Sequence, residues 1–475
     1  MKTLLIHISP NEEFGNLLNS LKLINKNLVR FKYIAYEETI KNFEFKKLIK
    51  NINYKYDEIL NINSTETFLI DSLDKERVYK YLDTLLNDSK TMSIFERSSF
   101  GLSSLFMTSN TKRIRLISIL YFQAIKFLKK VKPKAYIIAS TPHSLPEYLI
   151  KWACVALQID VVYLQDSILP WRYYSIFEKD NNRYLLNKSD KWSITDKKII
   201  NDLKKKLRNK DYLAPYEVER KNSFKNFSLI KEISTTWMRP DLIINKYIVS
   251  RYYENLTKKF KLPNSDYIFF PLQFNPERTT LPEGDKYFEQ FRALHEIRVK
   301  FDKKIKIIVK EHPSTFSLMC HWKERNKNFY KLINNLGNIS FAPVNYSTVK
   351  LIKNSSLSIS INSSVVMETL LLDKYCCYMS GHKFFGKESK NLLNFKKLNK
   401  NQINTIFRES NNKKNYFDKY WFENYTFNSS VNSEIFENTL TSLLQGRAKC
   451  FEKLIQNLVN IYIKNSIKKY LKKIN

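Results

Sequence analysis

Three short segments of the second half combine side chains that can move protons or hold phosphate. Lys310-Glu311-His312-Pro313-Ser314 sets a cation, a carboxylate and an imidazole side by side, and Pro313 stiffens the exit. Lys310 or His312 can balance phosphate charge on a departing nucleotide. Asn362-Ser363-Ser364 is small and polar and precedes a helical pattern beginning at Val365. At such a start, backbone N–H groups, the helix dipole and two hydroxyls make a seat for phosphate. Glu368 follows Ser364 by four residues, one more than a capping box needs, so it is expected to accept hydrogen bonds from ribose hydroxyls. The plain alternative is N-capping by Asn362 or Ser363 with Glu368 in solvent. The third segment runs from Leu272 to Pro282 and carries Gln273, Glu277, Arg278 and Thr279 between prolines. Hydrogen-bonding side chains so close to a buried strand suit ligand contact. A structural tie between the two halves is the other reading.

In the first half, an apolar run at Ala135–Ala139 leads into His143 and Glu147, and a run at Val161–Leu164 leads into Asp166. If the two runs are adjacent parallel strands, these residues reach one rim. Asp166 is then a nucleophile or general base, unless it merely caps the next segment. His143 and Arg172 can bind an acidic sugar or an acceptor. Asp166, Glu277 and His143 are the candidate catalytic residues.

The elements that would position them are legible as short apolar runs alternating with helical patterns, the signature of a parallel sheet covered on both faces. Strands are expected at Leu4–Ser9, Tyr33–Tyr36, Glu58–Ile62, Ala135–Ala139, Val161–Leu164 and Trp192–Thr195. In the second half they are expected at Tyr267–Pro271, Lys306–Val309, Ile339–Ala342, Leu357–Ile361 and Cys376–Met379. Helices are expected at 114–130, 196–208, 286–301 and 365–372. The fold class is therefore α/β, with two Rossmann-like halves facing a cleft. The expected division is 1–250 for an acceptor-side half with its helical connection, 251–400 for a nucleotide-binding half, and 401–475 for a basic helical tail. Ligands of such sheets bind beyond the carboxyl ends of the strands, where all the candidate residues fall.

Composition narrows the field. The 475 residues include only 7 glycines, with no G-x-G-x-x-G and no Walker loop, and 43% are hydrophobic, enough for a packed core. Five cysteines at spacings that match neither a metal site nor a disulfide framework read as reduced thiols. No Asp-x-Asp or His/Cys cluster appears, so neither metal nor cofactor is expected. The net charge of +34 admits nucleic acid, an anionic membrane or an acidic substrate as partner. About half of that excess goes with a general richness in Lys, Asn and Ile. The basic residues are dispersed and no nucleic-acid module is recognisable, so no nucleic-acid partner is expected. The last stretch, 451–474, is amphipathic and basic. It either lies on anionic lipid at the inner face of the cytoplasmic membrane or packs back on the protein. The start is too soon interrupted for a signal peptide and no run reaches the ~18 apolar residues of a membrane span, so the expected location is cytoplasmic.

Taken together, Lys310-Glu311-His312-Pro313, the Ser363-Ser364…Glu368 turn and Gln273-x-x-Pro276-Glu277-x-Thr279-Thr280 resemble bacterial capsule and surface-carbohydrate synthesis proteins. Among these are transferases of Kdo and other 2-keto sugar acids such as pseudaminic acid, which use CMP-activated donors and have the GT-B fold. The His-Pro pair also resembles that of bacterial sialyltransferases. The resemblance covers roughly 267–386 and is weaker in the N-terminal half. It implies that His312, Ser363, Ser364 and Glu368 hold the CMP part, that transfer is retaining, and that the acceptor is a surface glycan or glycolipid. The Kdo transferases carry their catalytic Asp in a Glu-Asp-Gly-Phe-like turn. Here the counterpart is Gln165-Asp166-Ser167-Ile168, which keeps the Asp and changes its neighbours. A covalent sugar–enzyme intermediate on Asp166 is the expectation. Alternatives are glycerol-phosphate transfer from CDP-glycerol, a UDP- or GDP-sugar transferase, and a non-enzymatic basic membrane- or nucleic-acid-binding protein.

Overall fold

A computed structural model describes residues 2–7, 29–35, 56–58, 72–98, 110–138, 141–166, 173–179, 182–185, 194–208, 240–275, 277–316, 325–380 and 390–411. The chain divides at Lys188/Ser189 into two compact units.

The first unit is built on strands β1 (Lys2–His7), β2 (Val29–Ala35), β3 (Tyr56–Glu58), β4 (Ala135–Ile138), β5 (Asp160–Asp166), β6 (Tyr173–Lys179) and β7 (Asn182–Leu185). They lie in the order β3-β2-β1-β4-β5-β6-β7. The first five are parallel, and β6 and β7 add an antiparallel edge. Leu4, Leu5 and Ile6 of β1 are buried, as a parallel strand covered on both faces requires. Its helices are α1 (Ser72–Asn87), α2 (Ser89–Ser98), α3 (Asn110–Val131) and α4 (Leu145–Ala156). Leu116, Ile117, Leu120, Tyr121, Ala124, Ile125 and Leu128 make one buried stripe of α3 at helical spacing. The central helix α4 is buried from Glu147 to Ala156.

The second unit carries α5 (Ile194–Arg208), α6 (Pro240–Thr257), β8 (Tyr267–Pro271), α7 (Gln290–Lys300), β9 (Lys306–Lys310), α8 (Lys327–Asn334), β10 (Ile339–Ala342), α9 (Thr348–Asn354), β11 (Leu357–Ser360), α10 (Val365–Leu371), β12 (Cys376–Tyr378), β13 (Leu392–Asn394) and α11 (Lys400–Asn411). Its sheet is parallel throughout, in the order β10-β9-β8-β11-β12-β13. Numbered from β8, that is 3-2-1-4-5-6, the order of a dinucleotide-binding Rossmann sheet. The first five strands of the other unit share the 3-2-1-4-5 part. The direction of winding reverses between β8 and β11, and that is where a sheet of this order leaves a crevice. Aliphatic strand residues, Tyr253 of α6, Tyr330 of α8 and residues of α7 form the core beneath it.

The structure departs from the sequence pattern at several elements. Trp192–Thr195 was expected to be a strand, but Ile194 and Thr195 open α5. A four-residue apolar run does not distinguish the two states, and the charged helical pattern behind it prevails. The β6–β7 hairpin and β13 were not anticipated. The helix expected at 286–301 begins only at Gln290, after a 3-10 turn at Asp285–Phe288. Residues 8–9, 36, 59–62 and the amphipathic stretch 451–474 lie outside the described residues.

Candidate functional site

Gln273 is the second residue beyond β8 and sits at the crevice. Leu272 donates its N–H to the Lys310 carbonyl (2.8 Å), holding the exit of β8 to that of β9. Gln290, the first residue of α7, then takes the place of a neighbouring strand. Its Oε1 accepts from the Gln273 N–H (2.8 Å) and its Nε2 donates to the Gln273 carbonyl (3.0 Å). That carbonyl also accepts from Arg325 Nη2 (3.2 Å). With its backbone fixed in this way, Gln273 donates from Nε2 to Asn362 Oδ1 (3.0 Å), two residues beyond β11. One side-chain bond thus spans the point where the winding reverses. Gln273 Oε1 is buried and accepts no hydrogen bond among the described residues.

The loop that follows is folded on itself. Thr280 Oγ1 donates to the Phe274 carbonyl (2.6 Å), and Arg278 Nε lies 3.0 Å from Glu283 Oε1 with both side chains largely buried. Ser380, beyond β12, donates to the Glu283 carbonyl (2.9 Å). A Cβ on Gly284 would stand 2.4 Å from the Thr280 carbonyl oxygen, so the loop closes too tightly there for any other residue. Glu277 is exposed and accepts from Thr279 Oγ1 (3.1 Å). Pro276 lies outside the described residues.

At the exit of β9 the Lys-Glu-His-Pro residues separate by role. Lys310 is the last strand residue, and its ammonium is buried, donating to Thr348 Oγ1 at the start of α9 (2.7 Å). The Glu311 carboxylate is 1% exposed at the residue level. It accepts from its neighbour's His312 N–H (3.0 Å), from Thr315 Oγ1 (3.0 Å) and from Tyr330 OH (2.7 Å), and pairs with Arg325 Nε at 3.0 Å. Its own N–H donates to Tyr253 OH (2.9 Å), which donates onward to the Ala342 carbonyl (2.8 Å). Burial raises both tyrosine pKa values, and the Glu311 carboxylate raises them further, so the hydroxyls stay protonated as donors. Glu311 is thus committed to protein donors and shapes the turn. His312 is half-buried, its ring centroid 5.6 Å from that of Phe274, and Pro313 opens a 3-10 turn whose Thr315 N–H donates to the His312 carbonyl (2.9 Å).

Beyond β11, Ser360 and Ser363 share a hydroxyl hydrogen bond (2.7 Å), and the Ser363 N–H donates to Ser360 Oγ (3.2 Å). Ser364 caps α10 with its side chain exposed and its carbonyl accepting from the Glu368 N–H (3.1 Å), while Glu368 is buried. The structure therefore gathers Gln273, His312, Ser363 and Ser364 at the ends of three neighbouring strands. Arg325, Gln290 and Asn362 join them, and no local pattern marks the first two, because their partners lie far along the chain.

The first unit places its candidates at the equivalent edge. Asp166 is the last residue of β5, opposite Tyr173 of β6. His143 precedes α4. Its N–H and that of Ser144 donate to Glu147 Oε2 (3.1 Å each), a capping arrangement at the helix start. Arg172 lies outside the described residues. His7, read from sequence only as part of a buried strand, ends β1 beside this turn. Among the described residues no group of three or more His, Cys, Asp or Glu is placed to hold a metal ion, and no helix is long and apolar enough to cross a membrane.

No protein-family model and no curated protein matches the chain. Solved structures similar to it include UDP-GlcNAc 2-epimerase from Neisseria meningitidis bound to UDP-GlcNAc, at 11% identity and a TM-score of 0.29, over 93% of this chain and 100% of that one. Another is MurG of Acinetobacter baumannii, at 8% identity and a TM-score of 0.27, over 94% and 100%. The Thermosulfurimonas dismutans KpsC beta Kdo 2,7 transferase matches at 11% identity and a TM-score of 0.25, over 54% of this chain and 68% of that one. Superpositions this loose say nothing about substrate.

Proposed function

We propose that the chain is a glycosyltransferase whose second unit binds the nucleotide of an activated sugar at the crevice between β8 and β11. The Gln273–Asn362 bridge carries this reading. It puts an amide pair, with one buried acceptor still available among the described residues, at the one place where a 3-2-1-4-5-6 sheet takes a nucleotide. Ser363 and Ser364 offer hydroxyls to a phosphate beside it. His312, set against Phe274, offers an imidazole and a flat face. Glu311, Lys310 and Arg278 serve mainly by fixing these groups, and Glu368 and Thr279 lie within the same segments.

The donor is a CMP-activated 2-keto sugar acid of the Kdo or nonulosonate class, in keeping with the Lys-Glu-His-Pro and Ser-Ser…Glu segments. The acceptor is a bacterial surface glycan. Asp166 is the nucleophile. Its carboxylate oxygen bonds to the anomeric carbon as the bond to the CMP phosphate breaks and the phosphate leaves with the electron pair. An acceptor hydroxyl then displaces Asp166, retaining configuration. Donor screening tests this: nucleotide release is measured with CMP-, CDP-, UDP- and GDP-linked substrates. CMP-sugar turnover, with a mass increase on the intact protein that disappears in Asp166→Asn, is expected. Turnover of only CDP-glycerol or UDP- or GDP-sugars would replace the donor assignment, and full activity in Asp166→Asn would remove the intermediate.

A further inference from the structure

The transfer proposed above uses none of a cluster of four side chains in the first unit, His7, Tyr136, His143 and Glu147. His7, the last residue of β1, lies with its Nδ1 2.7 Å from the hydroxyl of Tyr136 in the adjacent β4, and its Nε2 is 3.7 Å from Glu147 Oε1. The other carboxylate oxygen, Oε2, takes the His143 and Ser144 N–H groups and stands 3.6 Å from His143 Nδ1. A carboxylate therefore sits between two imidazoles. The His7 and Glu147 side chains are 1% and 5% exposed, and that of His143 is 35% exposed. A capping box alone needs only the bond to the Ser144 N–H. It gives no reason to bury a carboxylate between two histidines at the carboxyl edge of a Rossmann-like sheet.

The protonation states follow from the contacts. His143 Nδ1 is 2.9 Å from the Thr141 carbonyl. A carbonyl oxygen only accepts, so Nδ1 carries the hydrogen and Nε2 the lone pair. Burial works against the Glu147 carboxylate, but His143, His7 and the two backbone N–H groups outweigh it and hold its pKa below the ordinary value. Burial dominates at His7 and keeps that ring neutral. Two charged groups of neighbouring elements have partners of their own: Asp88, between α1 and α2, accepts from Tyr148 OH (3.2 Å), and the Lys151 ammonium lies 4.9 Å from the Trp152 ring centroid.

We propose that Glu147 is a positioning residue that holds His143 through its backbone N–H and stabilises the protonated form of the ring, whose neutral tautomer the Thr141 carbonyl sets, making His143 the base for the acceptor hydroxyl. This rests on the sugar-transfer reading. As the acceptor oxygen bonds to the anomeric carbon, the bond from that carbon to the Asp166 oxygen breaks and its electron pair stays on Asp166. The hydroxyl proton moves to His143 Nε2. The imidazolium then forms 3.6 Å from the Glu147 carboxylate and passes its proton to water. His7 and Tyr136 brace the carboxylate from the buried side.

Nitrogen-15 NMR of the histidines in the full chain tests this without any donor, since only six histidines are present. The signal missing in His143→Gln should show the Nδ1–H tautomer, and its titration midpoint should fall by about one pH unit in Glu147→Gln. The His7 signal should remain neutral through the midpoint of His143. An Nε2–H tautomer at His143 in the wild-type chain overturns the proposal even if Glu147→Gln fails to fold. So does an unchanged midpoint in a folded Glu147→Gln. With a donor found by nucleotide release, Glu147→Gln should lower kcat about 100-fold and leave the donor KM unchanged. An unaltered kcat overturns the catalytic part. Loss of all CMP-sugar turnover in the wild-type chain, with the NMR result intact, counts against the sugar-transfer reading and not against the Glu147–His143 couple.

Discussion

Replacing Glu311 by Ala should destabilise the second unit more than any surface change could. The carboxylate accepts from the His312 N–H, Thr315 and Tyr330, and faces Arg325, whose side chain is 5% exposed. Breaking a buried ion pair from one side costs about 3–5 kcal/mol, because the remaining charge is stranded. Three donors lose their acceptor as well, at about 1–3 kcal/mol for each that stays dry, although such terms overlap within one network. A total near 5 kcal/mol is expected. For a unit of this size each kcal/mol moves the melting temperature by about 2–4 °C, so the drop is about 10–20 °C. Scanning calorimetry of the full chain is the assay. The double variant Glu311→Ala/Arg325→Met removes the stranded charge and should recover about 2 kcal/mol or more. A Glu311→Ala transition within about 2 °C of wild type, or a double variant no more stable than the single one, would refute the role of Glu311 as the brace of the Lys-Glu-His-Pro turn.

Other expectations follow from the same contacts. Gly284→Ala should cost about 2 kcal/mol or more, since its Cβ would meet the Thr280 carbonyl at 2.4 Å and that oxygen is backbone; a melting curve matching wild type would contradict this. Stability should fall as pH drops from neutral. The folded chain holds His7 below its ordinary 6.5 and Glu147 below 4.5, so the unfolded chain takes up each proton first. The His7 contribution is full above 6.5 and is lost below it, and that of Glu147 is full above 4.5 and is lost at lower pH, each with a limiting slope of about 1.4 kcal/mol per pH unit. Urea midpoints between pH 7.5 and 5 should decline in the wild-type chain and less steeply in His7→Gln. Burial pushes the Cys154 and Cys376 thiols up, so iodoacetamide at pH 8 should leave both unmodified until the chain unfolds, as peptide mass mapping can show.

Much of the sheet framework is legible in the sequence because parallel strands buried on both faces read as plain apolar runs. Tyr267–Pro271 and Ile339–Ala342 have the same bounds in the sequence reading and in the structure. The β6–β7 hairpin was hidden because Tyr173–Lys179 mixes aromatic and polar residues without the clean alternation by which an antiparallel strand is read. Strand-end logic brought out Gln273, His312, Ser363 and Ser364, whose positions follow from where each strand stops. It could not separate Glu311 from His312. The partners that set their roles are Tyr253, Arg325 and Tyr330 on one side and Phe274 on the other, and only folding brings them together. Nor could it bring out His7, which ends an apolar strand and gains its meaning from Tyr136 and Glu147, well over a hundred residues away.

Calorimetric titration with CMP, UMP and GMP bears most directly on the crevice at Gln273 and Asn362. CMP should bind more tightly than the other two, and Gln273→Leu should weaken it about tenfold by removing the bridge and leaving Asn362 Oδ1 without its donor. Equal heats from all three nucleotides, no binding at all, or wild-type affinity in a folded Gln273→Leu chain would contradict a nucleotide site at that point of the sheet.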